Sequence, residues 1–213
     1  MQRLINLFFF MVLLLPVAAC QAEPEVAYKA GEHYEVLPQP VATIDPGKIE
    51  VAEVFWYGCS HCFHFESIVE PWKKSLPEDV NFVGVPAVWA PVMELHAKAY
   101  YTARALKVLD KMHIPIFEAM NLKKKKLQSE DEIAALFVDQ GVSSDKFTKV
   151  FNSWGISQQV KIAQSKQRGY RTQGTPELVV NGKYRISTRA GGQQEMLKIA
   201  EFLIEHERQQ GRN

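Results

Sequence analysis

The run Val51-Ala52-Glu53-Val54-Phe55-Trp56-Tyr57 is apolar on both faces apart from Glu53. A strand of that kind is covered on both sides, so the pattern predicts a central strand over 49–57 with helices above and below it. Gly58 breaks the strand, and a helical period follows at once. Phe65, Ile68, Val69 and Trp72 recur at i, i+3, i+4 and i+7, one buried face. Pro71 removes a backbone hydrogen bond, so a kink or a stop is expected there. Val80-Asn81-Phe82-Val83-Gly84-Val85 reads as the next strand, which makes the first half β-α-β with a parallel crossover. Before it, the Pro- and Gly-bearing stretch 23–48 offers one short strand candidate, His33 to Leu37.

From Pro91 to about Arg168 the period is helical throughout. Leu95, Ala99, Leu106 and Leu109 mark one helix, and Ile116, Phe117 and Met120 a second. Ser129-Glu130-Asp131-Glu132 is a capping box that opens a third, which Gly141 stops. Phe147, Val150 and Phe151 mark a fourth, and a fifth runs from Ser157 toward Arg168. So long a stretch cannot be a simple loop. Strand character returns at Glu177-Leu178-Val179-Val180, Asn181-Gly182 is a two-residue hairpin turn, and Lys183 to Ser187 comes back antiparallel. Met196, Ile199, Ala200, Leu203 and Ile204 give a last amphipathic helix. The order β-α-β, helices, β-β-α divides the chain into an α/β unit over 23–90 and 169–213 and an inserted all-helical subdomain over 91–168.

The chain's 213 residues and 46% hydrophobic content suit one domain, or one domain with a large insertion. A net charge of +1 gives no reason to expect nucleic acid as a partner. The run Lys123 to Lys126 reads as a solvated helix end. The N-terminus has the pattern of a secretion signal over 1–22: Arg3, an apolar run from Leu4 to Leu15, Pro16, then small residues. Cleavage is expected after Ala19 or after Ala22. Val17-Ala18-Ala19-Cys20 also resembles a lipoprotein signal, in which Cys20 would carry a lipid and anchor the protein to a membrane. Either way the mature protein is exported, into a compartment where disulfides persist.

The candidate chemistry lies at the first strand–helix junction. Cys59 and Cys62 are two residues apart on the first helical turn, close enough to bond to each other. Unpaired backbone N–H groups of that turn favour a thiolate on Cys59, and His61 between the cysteines acts in the same direction. A purely structural Cys59–Cys62 disulfide would close almost no loop. A copper or zinc site on the two sulfurs with His61 or His64 is a weak signal without a second cysteine pair, and a chaperone-like module is a further alternative. Glu53, six residues before Cys59, reads as a buried acid that moves a proton on or off Cys62.

With these features in this order, the chain resembles the thioredoxin superfamily, and within it the DsbA family of thiol oxidases. The likeness rests on Cys59-Ser60-His61-Cys62 after an aromatic strand, Phe65-Glu66 behind it, the inserted helices, Gly174-Thr175-Pro176, and Val180-Asn181-Gly182-Lys183-Tyr184. It implies a thioredoxin fold with an inserted helical subdomain, and a cis peptide before Pro176. It implies Glu66 as an acidic group near the site, with a mainly electrostatic part. It implies a periplasmic monomer without cofactor that gives its disulfide to newly exported cysteine-containing proteins. Re-oxidation by a quinone-linked membrane partner of the DsbB type belongs to the same expectation. The backbone of Thr175 would pair with an extended substrate. Two positions depart from the family pattern: Ser60 stands where proline is most often found, and Thr175 where valine is common. The second keeps a reductase or isomerase of the same superfamily open as the alternative.

Overall fold

The computed structural model describes residues 28–211. The leader and Cys20 lie outside the described residues. The described strands are β1 (Glu35–Val36), β2 (Ile49–Phe55), β3 (Val80–Pro86), β4 (Glu177–Val180) and β5 (Tyr184–Ser187). They form one mixed sheet in the order β1-β5-β4-β2-β3. The helices are α1 (Ser60–Ser75), α2 (Pro91–Ala105), α3 (Leu109–Asn121), α4 (Glu130–Asp139), α5 (Ser144–Phe151), α6 (Trp154–Tyr170) and α7 (Gln193–Gln210). β2 is an interior strand, next to the edge strand β3: it pairs in parallel with β3 and antiparallel with the middle strand β4, with Glu53 opposite Gly84 on one side and Leu178 on the other. This is the thioredoxin fold with five helices inserted between β3 and β4.

Both faces of β2 are covered, as its apolar run requires. Val51, Leu178, Val180 and Ile186 pack against Phe65, Val69 and Trp72 of α1 and Met196 and Leu203 of α7. On the opposite face Ala52, Val54, Val83 and Val179 belong to one core with Tyr100, Ile116, Phe117 and Ala163 of the inserted helices. Each fully buried side chain of that size contributes about 1.5–3 kcal/mol. The insertion is therefore held to the sheet by a shared apolar core, and Cys62 lies inside that core.

Three local readings change. α1 runs on to Ser75 through Pro71. Pro71 is on the exposed side of the helix, so the carbonyl it leaves without a helical donor faces water. The pattern from Leu95 to Leu109 covers two helices, because the chain reverses at Lys107 with φ +58°. Leu106 and Leu109 both pack on the same core across the break, which is why the spacing looked continuous. The fifth inserted helix starts at Trp154, with Ser153 Oγ accepting from the Ile156 N–H. Trp154 is 78% exposed, so it carries no part of the apolar face that marks the helix.

Other local signals work as expected. Ser129 Oγ accepts from the Glu132 N–H at 3.3 Å, and Glu132 Oε2 accepts from Gln128 N–H at 2.9 Å, one residue ahead of the cap. Gly141, at φ +84°, ends α4, with its own N–H on the Val138 carbonyl and that of Val142 on Phe137. Asn181 and Gly182 both have positive φ, the type I′ geometry of a two-residue hairpin. Gly182 also lies against Val41, whose N–H donates to the Gly182 carbonyl at 2.9 Å, and a β-carbon there would collide with the Val41 backbone. Gly182→Ala is expected to lower stability by more than about 1 kcal/mol in denaturant unfolding. An unchanged midpoint would show that the 41–182 contact is not close-packed.

Candidate active site

β2 ends at Phe55, and Trp56-Tyr57-Gly58 carries the chain to Cys59, the N-cap of α1. The Cys59 N–H donates to the Trp56 carbonyl at 2.9 Å, which closes the turn. Cys59 has extended backbone angles, φ −90° and ψ 114°, so its sulfur turns back over the first helical turn and accepts from the Cys62 N–H at 3.4 Å. Both cysteines are free thiols; Cys59 is half-buried and Cys62 has no exposed surface.

The two sulfurs are pushed in opposite directions. The Cys62 thiol donates to Cys59, the Thr175 side chain adds a hydrogen bond, and so do the backbone N–H groups of Cys62 and His61. Together they outweigh the desolvation of Cys59 and bring its pKa down to about 5. Burial, then the hydrogen bond to Cys59 and the negative charge of the Cys59 thiolate, push Cys62 far up. One sulfur is ionised at neutral pH and the other holds its proton. His61 contributes through its backbone N–H; its ring is exposed, and its carbonyl accepts from Gln193 Nε2 at 2.6 Å. Ser60, the first residue of α1, is exposed, and so is His64, which falls one residue off the buried face of the helix.

Behind the dithiol lies a buried acidic group. Glu53 is buried, its Oε1 has no hydrogen-bond partner among the described residues, and burial and the neighbouring Glu66 hold its carboxyl well above the usual range. Glu66 Oε1 lies 3.1 Å from His113 Nε2, and His113 Nδ1 lies 2.9 Å from the Tyr57 hydroxyl. The structure thus brings Glu53 and Glu66 together with the cysteines.

The loop before β4 faces Cys59. The Thr175–Pro176 peptide is cis. Cys59 Sγ lies 3.3 Å from the Thr175 carbonyl oxygen, the acceptor for a Cys59 thiol proton. The loop is fastened from below: Glu177 Oε1 accepts from Gln173 N–H at 3.3 Å, and the buried Arg185 donates to the Arg171 carbonyl and pairs with Glu35 at 2.7 Å. Tyr57, His113, Glu177 and Gln193 were not singled out in the sequence. A histidine inside the apolar run Met112-His113-Ile114-Pro115-Ile116-Phe117 and a glutamate at the head of an apolar strand were the available signals.

Two thiols held at opposite ends of the acidity scale can trade a disulfide with another thiol pair. On this fold, that chemistry marks a thiol:disulfide oxidoreductase. A family model, the DSBA-like thioredoxin domain, matches residues 72–203. The thiol:disulfide interchange protein DsbA of Pseudomonas aeruginosa is 42% identical over 182 residues, which cover 85% of this chain and 86% of that protein. That of Azotobacter vinelandii is 40% identical over 181 residues, 84% of this chain and 85% of the relative. The crystal structure of Pseudomonas aeruginosa DsbA superposes with a TM-score of 0.84 at 40% identity, over 87% of this chain and 97% of that one. The chain belongs to the DsbA family.

Proposed function

We propose that the enzyme is an oxidase that donates a Cys59–Cys62 disulfide to newly exported cysteine-containing proteins in the periplasm. A quinone-linked membrane partner of the DsbB type then re-oxidises it. The observation that carries this reading is the split acidity of the two sulfurs. A substrate thiolate attacks Cys59 Sγ, the Cys59–Cys62 bond breaks, and Cys62 leaves with the electron pair. Glu53, buried and protonated beside it, supplies the proton that Cys62 takes up, and regains one from solvent in the resting reduced enzyme. A second substrate thiolate then attacks its partner sulfur in the mixed disulfide, and Cys59 leaves as the stabilised thiolate. A leaving group of low pKa favours that step. In this reading, the Thr175–Pro176 loop, which flanks Cys59, receives the substrate backbone.

The reading is tested by the equilibrium of the Cys59–Cys62 pair against glutathione at several pH values. The disulfide is expected to be strongly oxidising at neutral pH, because a thiolate with its pKa near 5 stabilises the reduced form. The bias weakens as pH falls toward 5. A weakly oxidising, thioredoxin-like equilibrium would move the protein to the reductase branch.

A further inference from the structure

Glu53 and Glu66 are neighbouring carboxyls, both buried, and each has one oxygen without a hydrogen-bond partner among the described residues: Glu53 Oε1 and Glu66 Oε2. The charge of Glu66 opposes ionisation of Glu53, and like charges out of water do not both persist, so one carboxyl keeps a proton. Which one keeps it decides whether the proton lies beside Cys62. The two differ in their partners. Glu66 Oε1 has His113 Nε2 at 3.1 Å. Glu53 has no such donor at Oε1; its nearest cation by effect is Lys73, and the charges of Glu70 and Cys59 work against ionisation.

We propose that His113, held by Tyr57, places the buried proton on Glu53 by keeping Glu66 ionised. The buried Tyr57 hydroxyl keeps its proton, and its hydrogen-bond partner is His113 Nδ1, so the ring's own proton lies on Nε2, toward Glu66. In the neutral ring Nδ1 is then the acceptor, and the Tyr57 hydroxyl 2.9 Å away donates to it. That hydroxyl is wholly buried, and burial raises its pKa, so it remains a donor. The other titratable group against the ring is Tyr100 of α2, its centroid 6.0 Å from that of His113, with a pKa pushed up to about 12 by burial. Phe55 and Phe117 close the rest of the ring's surroundings. The imidazole therefore offers Glu66 an N–H in a mostly buried setting, with its side chain 16% exposed and that of Glu66 4%. A charge-assisted hydrogen bond of this kind favours the carboxylate. The ionised Glu66 in turn disfavours a second charge on Glu53. His113 is a positioning residue in this scheme: it acts through Glu66 and touches neither sulfur nor substrate.

The inference rests on the reading of Glu53 as the proton donor of Cys62, but its test measures protonation rather than turnover, so the two fail separately. Infrared spectra of the reduced protein at pH 7 would follow the carbonyl stretch of protonated carboxyls. In otherwise unaltered protein, Glu53→Gln is expected to remove one carboxyl's worth of that band, and Glu66→Gln to leave it. Glu177, another buried carboxyl whose pKa burial raises, stays constant through the comparison. His113→Phe is expected to add a component that Glu66→Gln then removes, since Glu66 loses its donor. His113→Gln, which keeps an N–H toward Glu66, is expected to restore the original band. A band that Glu66→Gln removes and Glu53→Gln leaves would overturn the assignment. So would a folded His113→Phe variant with an unchanged spectrum. If His113→Phe does not fold, the Glu53→Gln and Glu66→Gln comparison decides alone. In the same unaltered protein, ring-nitrogen NMR must find a proton on His113 Nε2; a neutral ring protonated only on Nδ1 overturns the proposal.

Discussion

Cys59→Ser is expected to end thiol–disulfide exchange, with a fall of at least about three orders of magnitude, the scale seen when an enzyme loses its covalent nucleophile. Of the two sulfurs, Cys59 alone combines access with ionisation: it is half-buried with a pKa near 5, while Cys62 is fully buried and protonated. A hydroxyl at 59 can neither form the mixed disulfide nor leave as a stable anion. The remaining Cys62 thiol cannot substitute, because no incoming sulfur reaches it and its thiolate is costly inside an apolar core. Cys62→Ser makes the complementary prediction. Its Cys59 still reacts, so mixed disulfides with substrate accumulate on non-reducing gels, where Cys59→Ser shows none. Alkylation at pH 6 gives a second readout: iodoacetamide labels Cys59 and leaves Cys62 unlabelled. Appreciable turnover in Cys59→Ser, or preferential labelling of Cys62, would reverse the assignment of the two sulfurs.

How much of this was legible in the sequence depends on the range of each interaction. Strand β2, the helix after the cysteines, the Ser129 box, the Gly141 stop and the Asn181-Gly182 turn are all encoded within a few residues, and each was readable. The C-x-x-C spacing is local too, and helix geometry alone argues for the acidity of Cys59. Local patterns do not supply the partners that come from distant segments. The Thr175–Pro176 loop, 116 positions from Cys59, was expected beside the cysteines only through the family resemblance, and the contact of His113 with Glu66, across 47, was not read at all. The period of the helices shows that each inserted helix has a buried face, but not which one faces Glu66. His61 shows the opposite error. Its ring was expected to help hold the thiolate, and a side chain beside a reactive sulfur in sequence invites that expectation. At the first turn of a helix, however, the backbone N–H points at the sulfur while the side chain projects outward, so the contribution comes from the main chain.

The stability of the reduced protein relative to the oxidised one is expected to rise with pH between about 5 and 8, and to change sign on the way. The cause is the Cys59 thiolate, which only the reduced protein has. Its folded pKa, near 5, is below the value of about 8.5 for a free thiol, so the folded state binds fewer protons between those limits. A depressed pKa contributes stability that is fully present above the unfolded value and is lost as pH falls through the folded one. At pH 7 the two units above the folded pKa are worth at most about 3 kcal/mol, at about 1.4 kcal/mol per unit. Cys59 is only half-buried, and solvent screening trims that figure. Against it stands the disulfide, which removes unfolded-state entropy worth about 2 kcal/mol for so short a loop. The two effects are therefore comparable near neutrality. At pH 4 the thiolate is gone and the oxidised protein should be the more stable; at pH 8 the reduced protein should be. Cys62 does not disturb this window. Its pKa is raised in the folded state, so it costs stability only as pH climbs past the unfolded value near 8.5. Paired denaturant melts of the two forms at pH 4, 6, 7 and 8 measure the difference. A difference independent of pH would mean that Cys59 carries no depressed pKa, and the thermodynamic basis for disulfide donation would be lost with it.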